Sequence, residues 1–273
     1  MIISIADLHG RVDLLRAMLA YFPPDTHYVC LGDVIDRGPN SLDCVDLMLE
    51  LYDAGRATLL RGNHEQMALE ALEKFEQYKG ADTLDRYKAS LVAYGRWMDA
   101  GGETVTEERQ GFSLESMPEA LCRYLKLTTI VQFVSVLGLT DTPPRVSSVL
   151  CSHAAPPHPR EGMSQTATAL WLRPQDGPFP LPEFVVASVH GHTPIRKPAR
   201  VGQHIYTDLG AVQTGQLCTV RLDNLVGLEN PEITVFQLGR SRMSPFAALR
   251  SMQFAQVGQA LPFQTQFVNV EKT

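Results

Sequence analysis

The sequence predicts a layered α/β fold. Three observations carry that prediction: short β-rich runs alternate with helix-period stretches over the first third, each run ends in a polar cluster, and the β pattern resumes after Pro144. The first strand is read at Ile2 to Ile5, the second at Tyr28 to Leu31 and the third at Ala57 to Leu60. Apolar-periodic helices from Leu14 to Tyr21 and from Ser41 to Tyr52 separate them. From Glu65 to Met98 the pattern is helical with charges on alternate faces, until Gly101-Gly102 breaks it. Another helical run at Pro118 to Leu127 and an apolar run from Thr129 to Leu139 lead to the Pro143-Pro144 turn. Residues 66–146 are therefore expected to form a helical insert over the core, shaping whatever groove lies beneath. Strands follow at Val146 to Cys151, Phe184 to Val189, Gln203 to Thr207 and Leu217 to Leu222, joined by proline-rich loops. Residues 1–225 thus read as one domain. Residues 226–273 are glutamine-rich, hold a strand candidate at Ile233 to Leu238, and read as a C-terminal extension packed on that domain.

Composition excludes several classes of function. With 273 residues, 44% hydrophobic and 20% charged, the chain has enough apolar content for one sizeable core, yet no stretch approaches the roughly 18–20 apolar residues of a membrane span. The opening Ile2-Ile3-Ser4-Ile5 is too short for a signal-peptide core. Five cysteines (Cys30, Cys44, Cys122, Cys151, Cys218), odd in number and mostly in apolar runs, suit reduced thiols in a cytoplasm. A net charge of −6 leaves no electrostatic footprint for nucleic acid, so a phosphate-bearing ligand has to be drawn in by a local basic site.

Five polar clusters fall at or just after strand ends: Asp7-Leu8-His9-Gly10, Gly32 to Gly38, Gly62-Asn63-His64-Glu65, Ser152-His153-Ala154 and Gly191-His192-Thr193. In open α/β sheets ligands bind at the carboxyl ends of strands, so loops far apart in sequence converge on one rim. Such convergence brings Asp7, His9, Asp33, Asn63, His153 and His192 to a common point. This is a metal-ligand inventory of imidazole nitrogen and carboxylate or amide oxygen without thiolate, which favours Mn, Fe or Zn over a cysteine-zinc site. The spacing Asp7-x-His9 places two side chains on one side of an extended segment. A carboxylate can bridge two ions, and Asp33 is the natural bridge. Two ions about 3.5–4 Å apart activate a water between them and clamp both oxygens of an in-line phosphoryl displacement.

With these residues in hand, the sequence resembles the phosphoprotein phosphatase family of metallophosphoesterases, in its bacterial and phage branch. The family's three signatures correspond here to Ala6-Asp7-Leu8-His9-Gly10, Gly32-Asp33-Val34-Ile35-Asp36-Arg37-Gly38 and Gly62-Asn63-His64-Glu65. The likeness continues through Leu170-Trp171-Leu172-Arg173, Gly191-His192-Thr193-Pro194 and Tyr206 to Val212. The resemblance implies a calcineurin-like fold with a central β-sandwich flanked by helices. It implies Asp7, His9 and Asp33 around a first metal, and Asp33, Asn63, His153 and His192 around a second, with manganese the foremost candidate. It further implies His64 as general acid oriented by Asp36, phosphate grip by Arg37 and Arg173, and direct attack of a hydroxide held by the metal pair. The expected substrate is a phosphorylated protein or peptide, at serine or threonine and also tyrosine.

Bland readings stand beside these. Singly, Asp and Asn next to glycine are ordinary turn residues, and Asn63 or Ser41 can simply cap a helix. His190 reads as a packing or supporting residue, His27, His158 and His204 as surface or core histidines, and Asp13 and Asp43 as helix N-terminal charges. Ala6 stands where the family usually has glycine, which is harmless unless the backbone there needs positive φ. Two rival functions share the motifs: a hydrolase of diadenosine polyphosphates or other small phosphoesters, and a degenerate phosphate-binding module. Pro194, where many general metallophosphoesterases carry another histidine ligand, favours the protein-phosphatase branch. No cysteine lies in a Cys-x5-Arg loop, which argues against a covalent cysteine mechanism.

Overall fold

Strand-forming segments of this chain assemble into two six-stranded mixed sheets in a computed structural model, which describes residues 1–81, 83–227, 230–238 and 264–270. In the first half, β1 (Ile2–Ile5), β2 (His27–Cys30) and β3 (Ala57–Leu59) pair in parallel, with α1 (Val12–Tyr21) and α2 (Ser41–Asp53) as the crossovers. Their short, almost wholly apolar strands suit a sheet covered on both faces. The helices bury stripes at helical spacing: Val12, Leu14, Leu15 and Met18 on α1, and Leu42, Val45, Met48 and Leu49 on α2.

The helical segment that follows is shorter than the sequence predicts. It runs through α3 (Asn63–Ala81), α4 (Leu84–Trp97), a π-type turn at Met98–Gly102, α5 (Glu103–Thr106) and α6 (Glu119–Leu127), and stops there. The next apolar run forms β4 (Val131–Ser135) and β5 (Gly138–Thr140), which belong to the second sheet: Phe133 lies opposite Leu150 in the pairing of β4 with β6 (Ser148–Ser152). Residues 131–140 are thus core strands rather than insert. A four- to eight-residue apolar run does not declare its partner, and periodicity cannot separate a buried strand from a buried helical turn.

After β6 come α7 (Gln165–Trp171), β7 (Val185–His190), β8 (Ala199–Val201), β9 (His204–Tyr206), α8 (Ala211–Thr214), β10 (Gln216–Arg221) and α9 (Leu222–Val226). β6, β7 and β9 are mutually parallel neighbours, and β10 returns to pair antiparallel with β1. β11 (Glu232–Leu238) adds to β10, and β12 (Gln264–Val270) lies parallel to β11 at the sheet edge. The described parts of the C-terminal extension therefore continue the first sheet, while residues 228–229, 239–263 and 271–273 lie outside the described residues. One continuous core joins the sheets, with Ile3, Ile5, Tyr28 and Leu31 from the first and Val134, Val149, Val189 and Ile205 from the second.

This topology positions the site. Each sheet contributes three adjacent parallel strands, and the carboxyl ends of β1, β2 and β3 meet those of β6, β7 and β9. All five cysteines are free thiols, four of them buried, and burial pushes every thiol pKa up. Among the described residues no helix is long and apolar enough to cross a membrane.

Candidate active site

The loops after these six strand ends enclose a cleft of about 670 Å³, lined by His9, Asp33, Arg37, Asn63, Trp171, Arg173, His192, Pro194, Asp208, Gly210 and Gln213. The backbone at this rim is unusual. His9, Asp33, Asp36, Arg37 and His192 all have left-handed φ, between 45° and 73°, a region costly for any residue but glycine. Such strain persists only where the surroundings over-determine it. The amides of Leu8 and His9 both donate to the Asp33 carbonyl, at 3.0 and 2.9 Å, and Gly10 donates to Val34 at 2.8 Å. The buried Glu65 carboxylate accepts from the amides of Asp33, Val34 and Gly62, each at 2.8 Å, and so stitches two loops together.

His9 therefore does not reach the cleft by strand alternation, because its own left-handed backbone breaks the period of two. Ala6, by contrast, is outside the left-handed region, so the absent glycine costs nothing there. Glycine is required at Gly191: a Cβ would collide with the Asp7 carboxylate, which accepts from the His192 amide at 3.0 and 3.1 Å.

The candidate ligands converge in two sets that share one carboxylate. His9, Asp33 and His64 present ligand atoms within 4.8 Å of one another, and so do Asp33, His153 and His192. Within the first set His9 Nε2 lies 3.6 Å from Asp33 Oδ2, and His64 Nε2 lies 4.0 Å from the same oxygen. In the second, His153 Nε2 is 3.5 Å from Asp33 Oδ2 and 3.0 Å from Asn63 Oδ1, while His192 Nδ1 is 2.9 Å from Asn63 Oδ1. Asp7 belongs to neither set; it stands beside them, held by the His192 amide.

Donor chemistry tests whether cations fit. His153 Nδ1 lies 2.9 Å from the Leu31 carbonyl and His9 Nδ1 lies 2.8 Å from that of Ile35, so each carries its proton there and turns a bare Nε2 inward. Burial holds both rings neutral by lowering their pKa, His9 to about 3. A bare imidazole nitrogen then faces the Asn63 carbonyl oxygen at 3.0 Å with no proton between them, an arrangement that a cation relieves. The carboxylates agree. Burial first, and then repulsion from Asp208 and Asp33, pushes Asp7 well up, and burial raises Asp208 to about 7. Burial also opposes ionisation of Asp33, but the imidazoles of His153, His64, His9 and His192 outweigh it and hold Asp33 below the usual carboxylate range. These residues fit divalent metal ions.

His64, a member of the first set, is also half of a buried pair. His64 Nδ1 is 2.6 Å from Asp36 Oδ2, and the His64 amide donates to Asp33 Oδ1 at 3.1 Å. Burial alone would lower the His64 pKa, but the Asp33 and Asp36 carboxylates overcome it and raise it. Arg37 Nη1 donates to His9 Nε2 at 3.0 Å, and Arg173 is an exposed residue of the same lining. Arg11 and Arg61 do not line the cleft: Asp13 and the Ala211 carbonyl hold Arg11, and Thr128 and Gln66 hold Arg61. His190 sits outside both sets, between Ser188 at 2.7 Å and Ser152. His204 shares Ser188, while His27 and His158 lie away from the cleft.

The calcineurin-like phosphoesterase family profile matches residues 1–204. The chain belongs to that family. Serine/threonine-protein phosphatase 1 of Salmonella typhimurium is 28% identical over 228 residues, covering 80% of this chain and 90% of the relative. Serine/threonine-protein phosphatase 2 of Escherichia coli is 43% identical over 72 residues, covering 25% of this chain and 31% of the relative. A protein serine/threonine phosphatase from Saccharomyces cerevisiae superposes with a TM-score of 0.50 at 12% identity, over 80% of this chain and 72% of its own, a likeness of fold. As a calcineurin-like phosphoesterase, this chain is an enzyme of phosphoester hydrolysis.

Three residues around this phosphoesterase site escape sequence reasoning. Glu65 has the structural role described above; an acid at a helix start ordinarily reads as a dipole charge. Asp208 follows β9 and obeys the same strand-end rule that found the ligands, so that rule had the means to find it. Trp97 donates its indole N–H to Asp36 at 3.0 Å from 61 residues away, and nothing local marks it.

Proposed function

We propose that this calcineurin-like phosphoesterase is a metal-dependent phosphoprotein phosphatase acting on phosphoserine and phosphothreonine monoesters, with phosphotyrosine within its range. The observation that carries the reading is the shared carboxylate: Asp33 belongs to both convergent ligand sets, and the His64–Asp36 pair opens beside it. Asp7, His9 and Asp33 would hold one divalent ion, and Asp33, Asn63, His153 and His192 the other, manganese first and iron or zinc next. Such a pair, when bound, polarises the phosphoryl group and supplies an activated water for in-line attack.

The remaining work falls to the chain itself. Arg37 and Arg173 offer planar, permanently charged forks to the non-bridging phosphoryl oxygens. Asp36 accepts from His64 Nδ1, which fixes the ring with Nε2 on the Asp33 side, 4.0 Å from its Oδ2, and makes Nε2 the nitrogen that would give a proton. As the bond from phosphorus to the serine or threonine oxygen breaks, that proton passes to the departing oxygen, and water has added across the ester. Each thiol is discouraged from ionising, which agrees with a route without a covalent cysteine intermediate, and free buried thiols suit a cytoplasmic setting. A protein substrate is supported by the likeness to the Salmonella serine/threonine-protein phosphatase 1, 90% of whose length is matched.

Metal-stripped enzyme, reconstituted separately with Mn, Fe, Zn and Mg, tests the reading on a panel of phosphoserine, phosphothreonine and phosphotyrosine peptides and diadenosine tetraphosphate. Manganese enzyme is expected to release phosphate from the phosphopeptides faster than it cleaves the dinucleotide. The reverse preference would assign the site to small phosphoesters, and no turnover with any metal would leave only a phosphate-binding module.

A further inference from the structure

The helical insert contributes no residue to the lining of the cleft, yet it reaches the His64–Asp36 pair from behind. Trp97, the last residue of α4, is fully buried, and its Nε1–H donates to both oxygens of Asp36, at 3.0 and 3.2 Å. Asp36 is itself fully buried, and the oxygen 3.2 Å from the indole is the one that lies 2.6 Å from His64 Nδ1. The turn after Trp97 makes a second tie: the Gly101 carbonyl accepts the Arg37 amide at 3.2 Å. Gly101 has φ +116°, and a Cβ there would press on Arg37 Cγ at 2.8 Å. Next to it, Gly102 lies flat against the indole, where a Cβ would meet Nε1 at 2.6 Å. Six residues on, Glu108 reaches back to the amides of Ser41 and Leu42, at 2.5 and 2.8 Å. The segment from Trp97 to Glu108 thus grips the loop from Asp36 to Leu42 at three points, and that loop contains two consecutive non-glycine residues in left-handed conformation, Asp36 and Arg37.

We infer that Trp97 is a positioning residue for phosphoester hydrolysis: its indole N–H fixes the rotation of the Asp36 carboxylate, which in turn aims His64 at the leaving oxygen. An indole N–H can only donate, so it pairs with a carboxylate that has kept its charge and cannot turn around to compete for the His64 proton. A carboxylate buried between one imidazole and one indole has no water to replace either partner. Losing the indole donor leaves the pair intact but free to rotate, and the cost falls only where proton donation is needed. The inference rests on the reading of His64 as general acid, and the experiment separates the two.

Trp97 is replaced by benzothienylalanine, which keeps the bicyclic shape and loses the donor, and separately by Trp97→Phe; each is made with and without His64→Asn. Rates with manganese are measured on a phosphoserine peptide, whose alkoxide needs a proton, and on 4-nitrophenyl phosphate, whose leaving group does not. The peptide kcat is expected to fall by about tenfold, the effect of one lost hydrogen bond to a charged group. The nitrophenyl rate should change by no more than about twofold, with KM and bound metal unaltered. In the His64→Asn background the same replacements should change neither rate. Equal losses on both substrates, or none in the benzothienylalanine enzyme, would overturn the positioning role while leaving His64 as acid. If His64→Asn itself fails to discriminate between the substrates, the acid reading falls and takes this inference with it.

Discussion

At the scale of single residues, the site is built by making chemistry-bearing side chains adopt unfavourable backbone. His9, Asp33, Asp36, Arg37 and His192 are all left-handed, and a non-glycine residue held there costs of the order of 1–3 kcal/mol. The amide clamps of Glu65 and the crossed loop bonds onto the Asp33 carbonyl supply the offsetting order. Asp33 then serves both ligand sets, which makes its removal diagnostic. Asp33→Asn is expected to weaken binding of both ions together, by at least the roughly 10–100-fold that losing a mere supporting partner of a ligand costs. Metal titration of the stripped variant, counting ions per chain, reads the outcome; selective loss of one ion would remove Asp33 as the bridge. The residues behind this prediction are legible in the sequence because each lies within a few positions of a strand end. Glu65 and Asp208 carry the same local mark, inside the Gly62 to Glu65 cluster and the Tyr206 to Val212 segment, but nothing in either segment tells what their carboxylates touch.

At the scale of elements, the insert and the core are joined by polar contacts between segments distant in sequence. Ser41, a plausible cap residue, does not cap its helix: its hydroxyl accepts the Asp36 amide at 3.1 Å, and the first amides of α2 are satisfied by Glu108. Glu108→Ala should therefore destabilise the protein by about 1–2 kcal/mol, the cost of orphaning helix N-terminal donors, with α2 itself otherwise unchanged. Urea unfolding midpoints at constant slope measure it, and a shift indistinguishable from zero would mean that water replaces the carboxylate. Such a contact has no signature in local sequence, since a capping box is read from residues three apart and Glu108 is 67 residues from Ser41. The boundary of the insert was illegible for a related reason. The run after Leu127 has the right polarity for either a helix turn or a strand, and only its pairing with β6 decides.

For the whole molecule, burying so many imidazoles couples folding to pH. His190, enclosed by Ser188, Ser152 and Tyr206, is pushed down to about 3, first by burial and then by the neighbouring His204. Its unfolded value is near 6.5, so between pH 6.5 and 3 the unfolded chain binds a proton that the folded one refuses. Stability therefore rises with pH across that window and is lost as pH falls. Because His190 is outside both ligand sets, its share can be isolated in metal-free protein. His190→Gln should lower stability near neutrality yet flatten the acid dependence at pH 5 by about one proton, or about 1.4 kcal/mol per pH unit. Urea unfolding from pH 4 to 7 tests this, and an unchanged slope would mean that His190 is already charged in the folded state.

From its order of residues alone, this protein determined the α/β class, the alternation of the first three strands with two helices, the rim at the strand ends, and the carboxylate, amide and imidazole side chains that gather there. Those features depend on periodicity and on chemistry concentrated within short segments, which a linear reading preserves. Tertiary structure alone decided that residues 131–140 join the core, that β12 extends the first sheet, and that Trp97 and Glu108 reach across to the Asp36–Leu42 loop. These depend on which surfaces remain unpaired once the strands have assembled, and that is a property of the folded whole.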